Sequence, residues 1–245
     1  MISQRKEVIV IALELKREDS VYVMTMSNQD KGNMFNETFI TECHQLLDEV
    51  EASNENAALV VTSSHPKIWN VGMDLEWIAT KPGIYQRDLP NILDRLFLRW
   101  AILNLPTVGC ITGHTYGAGA ILASALDFRL MRQDKGWFCV PAVNSGFVLT
   151  PIMQLIMGLL PNAKVLRYLL LTGEKLGGTK AAEFGIVDQA HPPDEILSKS
   201  MELAEELATK DRSTYAQIKS GMRRDLHHIQ NNLEQTQLRS YNSGL

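Results

Sequence analysis

Apolar and polar positions change period several times along this chain, and each change marks an element. Residues 8–15 form an apolar run rich in β-branched side chains, and residues 21–26 alternate. Both predict strands, with Glu18-Asp19-Ser20 as the turn between them. From Asn36 to Ser53 the apolar residues Phe39, Ile40, Cys43, Leu46, Leu47 and Val50 recur on one helical face. Residues 57–62 (AALVVT) then read as a buried strand. Strand, helix, strand opens an α/β arrangement with parallel pairing.

A second cycle follows. Residues 89–103 carry Ile92, Leu96, Trp100 and Leu103 at helical spacing, and Pro106 closes the helix. Residues 107–112 are β-rich, residues 113–119 a glycine-punctuated loop, and residues 120–126 helical. A third cycle predicts strands over 128–131 and 137–140, then helices over 151–160 and 162–171. Repeated short ββα cycles predict a spiral of turns, and the same pattern is compatible with a doubly wound sheet. After Pro192-Pro193 strand signals cease. Residues 196–208 are amphipathic, and Tyr215, Ile218, Met222, Leu226, Ile229 and Leu233 continue an apolar stripe. The organisation expected is a core over residues 1–190 and a helical region over 191–245 that packs on that core or on a neighbouring subunit.

Composition narrows the functional classes. A formal net charge of -4 speaks against a nucleic-acid surface. No apolar run approaches a membrane span, and Arg5, Lys6 and Glu7 interrupt any signal-peptide core, so no membrane association is expected. Cys43, Cys110 and Cys139 lie far apart, which predicts neither a disulfide framework nor a zinc site and fits a reducing, cytoplasmic setting. The Ser243-Gly244-Leu245 ending is a weak match to a peroxisomal signal.

Two glycine turns hold the candidate chemistry: residues 68–75 (IWNVGMDL) and 113–119 (GHTYGAG). The second has the spacing G-x-x-x-G-x-G, which is neither a dinucleotide fingerprint nor a P-loop, so a Rossmann enzyme is excluded. A strand-to-helix turn of small residues exposes N–H groups at the positive end of a helix, suited to a phosphate or a developing oxyanion. The glycines also have a purely conformational reading, as residues that permit tight turns.

These turns, taken with Asn33-Met34-Phe35, Asp127-Phe128-Arg129, Thr172-Gly173-Glu174 and residues 181–187 (AAEFGIV), resemble the enoyl-CoA hydratase/isomerase (crotonase) superfamily over nearly the whole chain. Residues 72–77 and 131–136 are most similar to Δ3,Δ2-enoyl-CoA isomerases. The resemblance implies the crotonase (ClpP-like) α/β spiral, an acyl-CoA substrate of fatty-acid metabolism, no separate cofactor or metal, and a homotrimer or homohexamer. It implies an oxyanion hole made by the backbone N–H groups of Val71 and Ala118. It also implies substrate contacts at Lys31, Gly72, Met73, Asp74, Leu75, Tyr116 and Gly117.

The pattern breaks at the proton-transfer groups. By that resemblance the two hydratase glutamates fall at Ile121 and Ala142, the second being the base that the isomerases share, and the aspartate of dienoyl-CoA isomerases falls at Thr150. Hydration, which needs both carboxylates, is the activity least expected. An isomerase-like enzyme with an unassigned base and a catalytically weakened acyl-CoA binder both remain open. Asp127 with Arg129 reads as a structural ion pair, Asp74 as a residue that orders its turn, and Lys219, Arg223 and Arg224 as a solvated helix face.

Overall fold

The computed structural model describes residues 12–242, and the side chains of residues 12–233. Strand β1 (Leu13–Glu18) turns back through Asp19, at φ 52°, into antiparallel β2 (Val21–Met26). The opening positions of the strand expected over 8–15 lie outside the described residues. Helix α1 (Glu37–Ala52) starts where Asn36 Oδ1 accepts the Phe39 N–H at 3.0 Å, and buries the predicted apolar face.

Three strand pairs then alternate between two sheets. β3 (Ala58–Ser63), β5 (Thr107–Ile111) and β7 (Phe128–Arg132) pair in parallel within a six-stranded sheet. The strand following each of them, β4 (Ile68–Asn70), β6 (His114–Tyr116) and β8 (Phe138–Cys139), joins a separate three-stranded sheet. Each turn of chain therefore gives one strand to each sheet and then a helix. This is the ββα spiral, and it removes the doubly wound alternative, which has a single sheet. The large sheet has the order β1-β2-β3-β5-β7-β9, closed by β9 (Gln189–His191). Both sheets are parallel apart from the β1–β2 hairpin.

Helices fill the connections. α2 (Leu75–Ala79) and α3 (Gly83–Ile102) follow β4, α4 (Ala118–Ala125) follows β6, and α5 (Ala142–Ser145), α6 (Pro151–Met157), α7 (Ala163–Thr172) and α8 (Gly178–Glu183) follow β8. α3 starts six residues before the predicted helix: Pro90 lies inside it and forfeits one backbone bond without ending it. The expected loop over 113–119 contains β6, whose three residues are too few to show alternation.

One face of the large sheet packs on α1, α3, α4 and α6, where Trp69, Trp100, Phe35 and Phe97 are fully buried. The other face, with Val21, Val60, Val108 and Leu130, is covered by α9 (Ile196–Ala208). The stripe expected over 215–233 is two helices, α10 (Arg212–Met222) and α11 (Arg224–Asn242), broken at Arg223. Among the described residues no helix is long and apolar enough to cross a membrane.

Two charge readings are corrected here. Asp127 does not pair with Arg129; it meets Lys219 and Arg223, each at 2.8 Å, while Arg129 pairs with Asp188 at 3.7 Å. Lys219 and Arg223 are consequently buried rather than solvated. Burial pushes the Lys219 ammonium down to about 8 despite the Asp127 carboxylate beside it. The cluster fastens α10 against the start of β7.

Candidate active site

The two glycine turns meet. A cavity of about 210 Å³ is lined by Met73, Leu75, Tyr116, Gly117 and Ala118 from these turns, and by Ile121, Ala142, Leu149 and Met153 from the helices around them. Val71 and Gly72 also reach it. The turns approach so closely that a Cβ on Gly72 would lie 3.2 Å from the Ala118 nitrogen, and Gly72 has φ 93°. Both constraints require glycine there.

A buried polar lattice fixes this approach. Asn70, fully buried, accepts the Gly72 N–H at 2.8 Å through Oδ1 and donates to the Asn33 carbonyl at 2.5 Å. Asn33 Nδ2 donates in turn to Ser63 Oγ at 2.8 Å and to the Trp69 carbonyl at 2.9 Å. Gly119 sits so close that any Cβ would lie 2.3 Å from the Asn70 carbonyl oxygen. Asp74 Oδ1 accepts the Trp77 N–H at 3.0 Å and starts α2, so its carboxylate orders the turn.

The direction of each N–H now follows. Phe35 bridges the first turn: its N–H donates to the Gly72 carbonyl at 2.8 Å, and its carbonyl accepts the Asp74 N–H at 3.1 Å. In an extended strand successive peptides point to opposite sides, so the Met73 N–H faces away from Phe35. Among the described residues it has no acceptor. The Val71 N–H, by contrast, is given to the Gly32 carbonyl at 3.3 Å. The N–H expected as a donor at Val71 is therefore already engaged, and the unpaired N–H of this turn is that of Met73, two residues along. Ala118 opens α4, where no preceding turn exists to accept its N–H, and it too lacks an acceptor among the described residues. Met73 and Ala118 thus bring two unpaired backbone donors to one cavity.

The walls are apolar where a carboxylate was sought. Ile121 and Ala142 both line the cavity, and Tyr116 and Ser145 are its polar side chains. Ser145 Oγ donates to the Pro141 and Ala142 carbonyls, each at 3.2 Å. Burial raises the Tyr116 phenol, so it stays protonated, with the Lys175 ammonium 5.7 Å from its ring centre. His114 does not line the cavity. It packs on Trp137, with ring centres 4.9 Å apart, and burial lowers its pKa, aided by Lys175. Lys31 sits outside, its ammonium 3.2 Å from the exposed carboxylate of Glu76. Such an exposed pair is weak, so the ammonium is open to exchange its partner. Among the described residues no His, Cys, Asp or Glu cluster is placed to hold a metal ion.

One acidic group escaped the sequence reading. Asp94 of α3 is 7% exposed, and its Oδ1 accepts the Thr150 hydroxyl at 2.6 Å. Burial raises its pKa, opposed by that hydrogen bond. Its only signal in the sequence was an acidic residue directly after Leu93, at helical spacing from the buried apolar face formed by Phe97 and Leu98.

Comparison with known proteins gives one family. The model of the family described as enoyl-CoA hydratase/isomerase matches residues 16–243. Enoyl-CoA delta isomerase 2, peroxisomal, of Arabidopsis thaliana is 28% identical over 218 residues, spanning 85% of this chain and 90% of that protein. A hydroxycinnamoyl-CoA hydratase-lyase of Pseudomonas fluorescens is 25% identical, spanning 86% and 78%. Among solved structures, an enoyl-CoA isomerase of Mycobacterium tuberculosis superposes with a TM-score of 0.79 at 23% identity, covering 88% of this chain and 92% of its own.

Proposed function

The chain belongs to the enoyl-CoA hydratase/isomerase family, and on that footing we propose that it is an isomerase acting on an enoyl-CoA thioester. The observation that carries this reading is the pair of unpaired N–H groups at Met73 and Ala118 on an otherwise apolar cavity. Removing an α-proton from a thioester puts negative charge on its carbonyl oxygen. Two fixed donors bind that enolate more tightly than the ground-state carbonyl, which lowers the barrier. The CoA moiety runs from this oxygen past Gly72, Asp74 and Leu75 toward Lys31, whose ammonium meets a phosphate.

Isomerisation is favoured over hydration because hydration uses two carboxylates, both replaced at Ile121 and Ala142, whereas isomerisation uses a single proton carrier. Hydration must hold and activate a water, and two aliphatic side chains offer that water neither an acceptor nor a base. Isomerisation moves a proton along the acyl chain in a dry site. Conversion of a 3-enoyl-CoA to its 2-enoyl isomer tests the reading. Turnover well above the buffer reaction is expected, and turnover equal to it, with hydration of 2-enoyl-CoA instead, overturns it.

The second reading, an acyl-CoA binder without turnover, is favoured by the absence of any carboxylate or imidazole among the cavity-lining side chains. It predicts binding with neither isomerisation nor exchange of the α-proton with solvent.

A further inference from the structure

The isomerase reading needs a group that carries a proton, and the cavity walls supply none. We propose that Asp94 is that group: its carboxylate takes the α-proton of a 3-enoyl thioester and returns it at the γ-carbon. This inference rests on the isomerase reading.

Leu93, the residue before Asp94 on α3, lines the cavity. So do Leu149 and Met153, which flank Thr150 at the start of α6. The Asp94–Thr150 hydrogen bond therefore joins α3 to the start of α6 immediately behind residues that form the cavity wall.

Thr150 Oγ1 accepts the Met153 N–H at 3.1 Å, so its own proton is free to be given to Asp94 Oδ1. That fixes one oxygen. Oδ2 has no hydrogen-bond partner among the described residues, yet it is not among the unpaired polar side-chain atoms sealed from solvent. No Lys or Arg pairs with Asp94 among the described residues, unlike the buried Asp127, which has two cations. A buried carboxyl with one oxygen held and the other unpaired is costly as a structural element. It suits a base, because burial holds its pKa above the usual carboxylate range.

The step balances without a further reactant. The α C–H bond breaks, its proton forms an O–H bond on Asp94, and the electron pair moves into a dienolate. The dienolate's negative charge rests on the thioester oxygen, against the Met73 and Ala118 N–H groups. The O–H bond then breaks as a γ C–H bond forms, and the double bond comes to rest between the α- and β-carbons.

The test measures isomerisation, acyl-CoA binding and exchange of the α-proton into heavy water, for wild type and Asp94→Asn. The expected result is a kcat lower by roughly 10²–10⁴-fold in Asp94→Asn, with exchange lost and binding kept. Wild-type turnover with Asp94→Asn equally active overturns the role of Asp94 and leaves the isomerase reading standing. Wild type that binds but neither isomerises nor exchanges overturns both. Should Asp94→Asn fail to fold, the wild-type protein is incubated with a 3-alkynoyl-CoA, which proton transfer converts to an electrophilic allene beside the base. Peptide mapping is expected to place the adduct on Asp94. An adduct on another residue, or none from an enzyme that turns over 3-enoyl-CoA, overturns the proposal.

Discussion

Gly72 and Ala118 lie so close that a methyl group on the first would stand 3.2 Å from the nitrogen of the second. The contact joins the two turns at the point where both free N–H groups emerge. Gly72→Ala therefore strains a backbone at φ 93° and crowds the Ala118 N–H at once. Loss of one oxyanion donor typically costs about 10²–10³ in kcat. Steady-state kinetics of this variant are expected to show a loss of that order, with a circular dichroism spectrum like wild type.

Ala118 permits a cleaner deletion. It is the first residue of α4, the position where proline's fixed φ is tolerated and its missing N–H was unpaired already. Ala118→Pro removes one donor while the helix keeps its remaining bonds. Turnover is expected to fall by about 10²–10³, and the melting temperature to stay close to wild type. A folded variant with full activity would show that the Ala118 N–H does no catalytic work.

Asp94 makes a prediction about stability as well as rate. Its carboxyl has a raised pKa in the folded protein, so the folded state holds that proton more tightly than the unfolded chain. The stability this contributes is fully present below the unfolded aspartate value, about 3.9, and is lost as pH rises through the raised folded value. At neutral pH the ionised carboxylate is then a net cost. Asp94→Asn should be more stable than wild type at neutral pH, with the advantage fading toward acid. Urea unfolding of both proteins across that range checks the sign; a purely structural Asp94 would give a variant that is less stable throughout.

Ala142 offers a place to rebuild the base. It lines the cavity and is half-buried, so a longer acidic side chain there can project into the space. In the Asp94→Asn background, Ala142→Glu is expected to restore part of the isomerase turnover. An inactive double variant that still binds acyl-CoA would mean the cavity no longer presents the acyl chain to that wall.

Much of this fold was legible from period alone. The α1 face from Phe39 to Val50, the β3, β5 and β7 runs, and α9 from Ile196 to Ala208 are long enough, or apolar enough, for local pattern to decide. Of the second sheet only β8 was legible, within the strand expected over 137–140, because β4 and β6 have three residues each, too few to show a period. The site shows the same division. Both turns were legible as N–H donors, but choosing Met73 over Val71 depends on Phe35, which is remote in sequence and turns the peptides on either side of Met73 toward itself. Asp94 was hidden for a related reason: beside Arg95 it reads as part of a solvent-facing charged pair on a helix, and its burial comes from the start of α6.

On the proposed function, the Met73 and Ala118 N–H groups hold a thioester oxygen. The most direct measurement is the infrared carbonyl stretch of an acyl-CoA labelled with carbon-13 at its thioester carbonyl, free and bound. Two donors polarise the carbonyl, so the stretch should move to lower frequency on binding and recover part of that shift in Ala118→Pro. A bound thioester whose carbonyl stretch matches the free molecule would contradict the claim.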